Sequence, residues 1–516
     1  MMRSLYSGVS GLKNHQTRMD VVGNNISNVN TTGFKSSRVT FSDTLSQTLS
    51  GASAPTDNRG GTNPKQIGLG SATSAIDTLF TDGSVQSTGV NTDLCLSGNG
   101  LFIVKDGDLS YYTRNGNFKF DKEGYYVNSD GLKVQGWSAT TPGEAISTNG
   151  QPSEICIPAG KTMAASATKV ATFSKNLDAA EPMIEEMSIT LATGDSYTVD
   201  AADTKPYAVG TEYEVKNVDN TTKKVTLEDP NGNSITIDAA DPTKYNVGDK
   251  VKSNSATLKM TDGTTTTETS GAFTLGNSKP KTTIATVYDS LGNAHNVTIY
   301  MTKTKVDSTT GNQWTVSLDP AGSGEQTITE ADGTTTTVSM ADTILQFNVN
   351  GGLTTGSGSA TLTLTNGAGT NQSVNMTFDD VTQYAGSSTA FATTDGNAAG
   401  TLKSVSIDSA GVITGTYTNG LNVQEAQIAI AQFNNASGLT KTGNSLYTES
   451  NNSGTPNIGT ISDLGCTVTP SALEMSNVDM ASELTDMIVT QRGYQSNSKI
   501  ITVSDELLET LINMKR

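Results

Sequence analysis

The chain has 516 residues, with 33 Lys and Arg against 51 Asp and Glu for a formal charge of −18. So acidic a balance argues against a nucleic-acid binder, which needs a basic patch to displace counterions from phosphates. Only 16% of residues are charged, and two His and three Cys leave little material for metal sites or histidine-based catalysis, so the composition disfavours an ordinary enzyme.

From the N-terminus, residues 1–6 carry one cation and no apolar h-region, which argues against Sec export by a cleaved signal peptide. No run approaches the roughly 20 apolar residues of a membrane helix, so no membrane span is expected. Leu5, Val9, Leu12, Met19, Val22, Ile26 and Val29 alternate spacings of three and four, with Gln16 in the missing step. This predicts an N-terminal inner helix over 1–30. Gly8 and Gly11 lie one turn apart; each weakens an isolated helix but admits a close neighbouring backbone. The Asn-rich run 24–30 and Gly33 end the helix.

Residues 31–75, rich in Ser, Thr, Gly and Asn, read as an extended connector. A first β domain with a junction is expected over 76–187, an extra outer β module over 188–270, and an outer β domain over 271–410. The first β domain resumes over 411–450. Alternating runs such as 234–237, 296–301, 313–318 and 343–349 carry this reading, separated by Asn-Gly, Asp-Gly and Gly-Gly pairs that favour hairpin turns. The Thr excess fits, because a β-branched polar residue suits a pleated surface wet on one side. Asp-Gly followed by four Thr occurs at 262–267 and 332–337, predicting two hairpins with Thr-rich exposed faces.

A connector over 451–472 leads to a C-terminal inner helix over 473–516. There Met480, Leu484, Met487, Gln491, Tyr494, Ser498, Ile501, Leu508 and Ile512 repeat the three/four spacing, in a helix predicted from about Glu474 to Asn513. The expected fold class is mixed, with long terminal α-helices forming a coiled-coil-like inner domain and nested all-β domains between them. Narrow seams suit helix partners, so the two helices are expected to pair with each other and then with further copies.

Catalytic signatures are fragmentary. Gly160-Lys161-Thr162 has Ile155 where a phosphate loop needs Gly. His15 is expected on the polar face of its helix and His295 at a surface or strand edge, and the widely spaced Cys95, Cys156 and Cys466 predict no disulfide framework. No catalytic, cofactor or metal site is expected.

The termini carry longer motifs. Asn24, Asn25, Asn28, Gly33 and Phe34 lie in NNISNVNTTGFK, and Asn477, Gln491, Arg492 and Tyr494 in the closing segment. These resemble the rod and hook axial proteins of the bacterial flagellum. Tyr112, Arg114, Gly116, Gly136 and Trp137 belong to a pattern which both share, whereas Asp289 with Gly292 and Asn419 with Gly420 resemble hook subunits in particular. The resemblance implies an extracellular structural subunit that self-assembles into a curved helical tube, a universal joint transmitting torque from rod to filament. It implies inner helices lining the tube's channel, β domains at increasing radius and no cofactor. Besides itself, its implied partners are a distal rod protein, a hook cap protein, a hook–filament junction protein and the flagellar type III export apparatus. A distal rod subunit is the alternative within the family, and an extracellular β-rich adhesin outside it. The 395–420 pattern opposes the first, and the terminal seams oppose the second. The resemblance also raises an intersubunit crosslink from Cys156 to a lysine such as Lys161 or Lys169, against the default of a small buried thiol.

Overall fold

Helix and strand divide this chain unequally. The computed structural model describes residues 2–514, apart from 58, 140–142, 144, 231, 331–332, 364–367 and 369–370. Strand makes up 48% and helix 13%. Among the described residues there are two α-helices, α1 (Met2–Ser27) and α2 (Met480–Asn513). Helix α2 starts later than the spacing predicts: Leu473 and Glu474 belong to a strand (Ala472–Glu474), and Asp479 caps the helix by accepting the Ala481 amide at 3.0 Å.

The expected coiled-coil-like inner domain is therefore corrected. The fold is mostly β, and the helices form one antiparallel pair. A coiled coil needs large apolar residues on both facing seams. Here the buried residues of α2 are Thr490 and Ser504, while Leu484, Tyr494 and Ile512 are 45%, 39% and 65% exposed. Small residues take the facing positions on α1, where Gly8 receives Ile501. A Cβ at Gly11 would lie 2.7 Å from Asn497 Nδ2, and one at Gly493 2.6 Å from the His15 ring, so these glycines admit the polar groups opposite. His15 thus lies in the helix contact and not on a free polar face.

The chain divides into two compact units, Met1–Met163 with Thr401–Arg516, and Ala164–Gly400. In the first, strands from both chain halves interleave. Asn422–Gln432 pairs with Lys133–Ser138 and with Gly100–Asp106, placing Gly136 opposite Ile428 and Phe102 opposite Ile430. Both faces of this central strand are covered. Phe102, Phe118, Tyr126, Val134 and Ile428 fill one side, and Leu101, Trp137, Ala429 and Tyr447 the other.

In the second unit, Val170–Asp178 runs parallel to Asn371–Tyr384 in a sheet over a core of Phe173, Trp314, Phe347 and Phe378. Between Val170–Asp178 and Lys281–Tyr288 the chain makes a separate sheet, in which Ile184–Leu191 pairs with Lys250–Met260 around Tyr213, Leu227 and Leu258. That interruption is a nested β module. At its 262–267 hairpin, Asp262 accepts from the Thr264 amide and hydroxyl. Asp332, of the second such hairpin, lies outside the described residues, and the following strand buries Thr336 where an exposed Thr-rich face is predicted.

Candidate assembly site

The faces of the helix pair differ in what they leave open. Of the predicted seam, Val22 is buried; Leu5, Leu12, Met19, Ile26, Val29, Met487, Ile501 and Leu508 are half-buried; and Val9 is 36% exposed. Away from α1, helix α2 exposes a second apolar row: Ile488 (59%), Val489 (56%), Val503, Leu507 and Leu511. Sequence reasoning missed this row because a three/four spacing finds one stripe, and α2 carries two.

The pair is fastened to the β unit at a polar joint. The Asn25 side chain donates to Ser37 O (2.8 Å) and Glu483 Oε1 (2.9 Å), and accepts the Ser37 amide (3.0 Å). Burial raises the Glu483 pKa, with the Asn25 bond opposing. Asn477 Oδ1 accepts the Ser36 amide at 2.7 Å, and its Nδ2 donates to Leu79 O at 2.9 Å. Beneath them lies a charge cluster in which Lys35, Arg114 and Glu474 are fully buried and Asp82 is half exposed. Lys35 Nζ is 2.6 Å from Glu474 Oε1 and donates to Thr81 O at 2.6 Å. Arg114 Nη1 reaches Leu96 O at 3.0 Å, Asp82 Oδ1 at 3.3 Å and Glu474 Oε2 at 3.5 Å, and its Nη2 donates to Gly98 O. Gly33 closes the joint in the left-handed region (φ +67°), its amide donating to Glu474 O at 2.8 Å; a Cβ there would lie 2.5 Å from the Asn115 amide nitrogen.

Four family models match: "Flagella basal body rod protein" over 5–35, "Flagellar hook protein FlgE/F/G D1 domain" over 95–172, "Flagellar basal body protein FlaE D2 domain" over 255–397 and "Flagellar basal body rod FlgEFG protein C-terminal" over 469–514. The flagellar hook protein FlgE of Borreliella burgdorferi is 37% identical over 539 residues, covering 100% of both chains. That of Treponema pallidum is 36% identical over 529 residues, again covering 100% of both. The chain belongs to the flagellar hook protein FlgE family. By contrast, the flagellar basal-body rod protein FlgG of Bacillus subtilis is 48% identical over 183 residues, only 34% of this chain and 69% of that one. A hook subunit is therefore favoured over a rod subunit, and the chain is a structural, self-polymerising component of the flagellar hook.

With the hook family in hand, the motif residues sort by place. Asn25, Gly33, Arg114 and Asn477 meet at the joint. Asn24 and Asn28 form the turn that ends α1, where Asn28 Nδ2 donates to Asn24 O at 2.9 Å. Phe34 lies 4.8 Å under Lys441 Nζ. Tyr112 donates to Glu449 at 2.5 Å, Trp137 Nε1 donates to Gly150 O at 2.7 Å, and a Cβ at Gly116 or Gly136 would strike the backbone carbonyl of Leu94 or Gln427. Asn419 and Gly420 form a hairpin turn, with Gly420 at φ +84°. Gln491, Arg492 and Tyr494 stay exposed on α2.

In the second unit, buried Asp289 accepts the amides of Leu291 and Asn293, both at 2.9 Å, and Gly292 (φ +89°) packs near Ala165. His295, expected at a surface, is fully buried there, 3.4 Å from Asp289 Oδ2 and 2.8 Å from Glu330 Oε1. Cys156 is half-buried with Sγ 3.7 Å from Glu123 O, while Lys161 Nζ is held 2.5 Å from Glu425 Oε2. Lys35, Asp82, Glu474 and Glu483 were not singled out from sequence. Lys35 ends the NNISNVNTTGFK run, and only that position hints at its role.

The joint has a pH signature. Burial holds the Lys35 ammonium below its ordinary 10.5, against the pull of Glu474. The folded chain therefore releases this proton before the unfolded chain does, and stability rises with pH in the window beneath 10.5. Lys35→Met will flatten that part of the profile. Urea unfolding of both proteins from neutral pH to 10.5 measures it, and an unchanged slope refutes it.

Proposed function

We propose that this chain polymerises through the exposed faces of α1 and α2 into the curved tube of the flagellar hook, with the helices innermost and lining its channel. The tube bends while transmitting torque from rod to filament. The proposed assembly contacts include Leu5, Val9, Leu12, Met19, Ile26 and Val29 on α1, with Leu484, Met487, Tyr494, Ile501, Leu508 and Ile512 on α2, whereas the expected contact Val22 is buried within the chain. The observation that carries this reading is the apolar row left open on α2, with Ile488 59% and Leu511 53% exposed. Apolar area of that kind gains roughly 25 cal/mol per Å² when a neighbour covers it. Polar Thr- and Asn-rich strand faces support weak, wet contacts that can re-register as the tube bends.

The chain works as a structural element and not as an enzyme, outside the cell. Its neighbours are the distal rod protein, the hook cap protein and the hook–filament junction protein, and the flagellar type III export apparatus delivers it.

The test is a chain ending at Asp479. A cut at 473 would also remove Glu474 from the β unit, so the later cut isolates the helix. The full chain will form curved tubes under the electron microscope, and the shortened one will stay monomeric by sedimentation with its β circular dichroism retained. Tubes from the shortened chain would sink the reading.

A further inference from the structure

The nested β module hangs on two limbs. The chain enters it through 179–183 and returns through 275–280, each limb carrying a proline, Pro182 and Pro280. The core of the module, around Tyr213, Leu227 and Leu258, is separate from that of the outer β domain around Phe173, Trp314 and Phe347. Two bodies with separate cores and a thin connection swing against each other by default. There is room for it, since a cleft of about 280 Å³ lies between Thr204, Pro206 and Thr274 of the module and Thr302, Thr315 and Asp319 of the outer domain.

Both limbs nevertheless converge on one buried cation. Along strand Ala294–Lys305 the inward positions are His295, Val297, Ile299, Met301 and Lys303, so a lysine closes an otherwise core-facing series. Lys303 is 3% exposed. Its Nζ donates to Ala179 O at 2.7 Å and to Glu181 O at 3.0 Å on the entering limb. Its amide donates to Ser278 Oγ at 2.9 Å, and its carbonyl accepts the Ser278 amide at 2.9 Å, on the returning limb. The limbs are bonded to each other just beyond, the Ile184 amide donating to Asn277 O at 2.8 Å. A buried ammonium is costly unless its protons are taken up, and here two limb carbonyls take them.

We propose that Lys303 is a positioning residue that pins the nested module to the outer β domain, so that the two move as one body. The pin acts within a single chain and stands whether or not the polymer reading above does.

The test uses the full chain, with dyes on non-natural residues at positions 221 and 284, one exposed on each body. Single-molecule energy transfer will give a narrow distance distribution in the parent and one at least twofold broader in K303M. Hydrogen exchange will accelerate at least tenfold at the Ile184 and Ser278 amides of K303M, while the Leu227 and Leu345 amides in the two cores exchange as in the parent. K281M removes the 2.8 Å ion pair to the Glu181 carboxylate but leaves the pin, and will change neither readout by more than twofold. A K303M distribution as narrow as the parent's, or exchange accelerated equally in both cores, would overturn the pin. If K303M does not fold, S278A, which removes the acceptor of the Lys303 amide, takes its place: faster exchange at the returning limb supports the pin, and parent-like exchange there overturns it.

Discussion

Glu474→Ala will destabilise the first unit by about 3–5 kcal/mol, the cost of removing one partner from a buried ion pair. Glu474 is 1% exposed and stands between Lys35 and Arg114, which are themselves 0% and 1% exposed. Alanine would leave two cations facing each other in a site closed to water. Asp82 pairs directly with Arg114 alone, and from a side chain 46% exposed. Glu474→Gln keeps an acceptor for the Gly83 amide, now 2.8 Å from Glu474 Oε1, and will lose less. The chain's two tryptophans make the measurement specific, because Trp137 lies in the first unit and Trp314 in the second. In a Trp314→Phe background, urea unfolding followed by Trp137 fluorescence reports the joint's own unit. A loss below about 1 kcal/mol would show that the cluster is not behaving as a buried charge network.

Ile488→Asp combined with Leu507→Asp will abolish assembly while leaving the monomer intact. Both residues are more than half exposed in the free chain, so the monomer should change by no more than about 0.5 kcal/mol. In a polymer the same positions would bury carboxylates in apolar surroundings, after losing roughly 1.5–3 kcal/mol per apolar side chain. Together these raise the subunit concentration needed for polymerisation by about a hundredfold or more. Sedimentation against concentration reads the effect directly. Parent-like tubes from the double variant would mean that the apolar row on α2 faces no neighbour.

The sequence made the helical ends and the strand-and-turn rhythm between them legible, because three/four spacing and Asn-Gly or Asp-Gly turns act over a few residues. It could not say how the ends meet. Spacing marks a stripe at Leu484, Met487 and Tyr494, but at the contact with α1 Asn497 faces Gly11, Gly493 faces His15 and only Ile501, against Gly8, comes from that stripe's pattern. Spacing therefore suggests a coiled-coil-like inner domain where a closely approached pair with a largely polar contact exists. The joint was hidden for a related reason. Lys35 and Glu474 are 439 positions apart, and a charged residue reads as surface until its partner is known. His295 was misplaced in the same way, since burial between Asp289 and Glu330 depends on a hairpin that begins about 30 residues later.

The separation between Lys35 and Glu474 also fixes an order of events. A chain delivered from its N-terminus presents Lys35 and Arg114 long before Glu474 arrives, so two cations must wait in water for the acid that completes their site. A fragment that stops short of Glu474 leaves Lys35 and Arg114 without the carboxylate that they share.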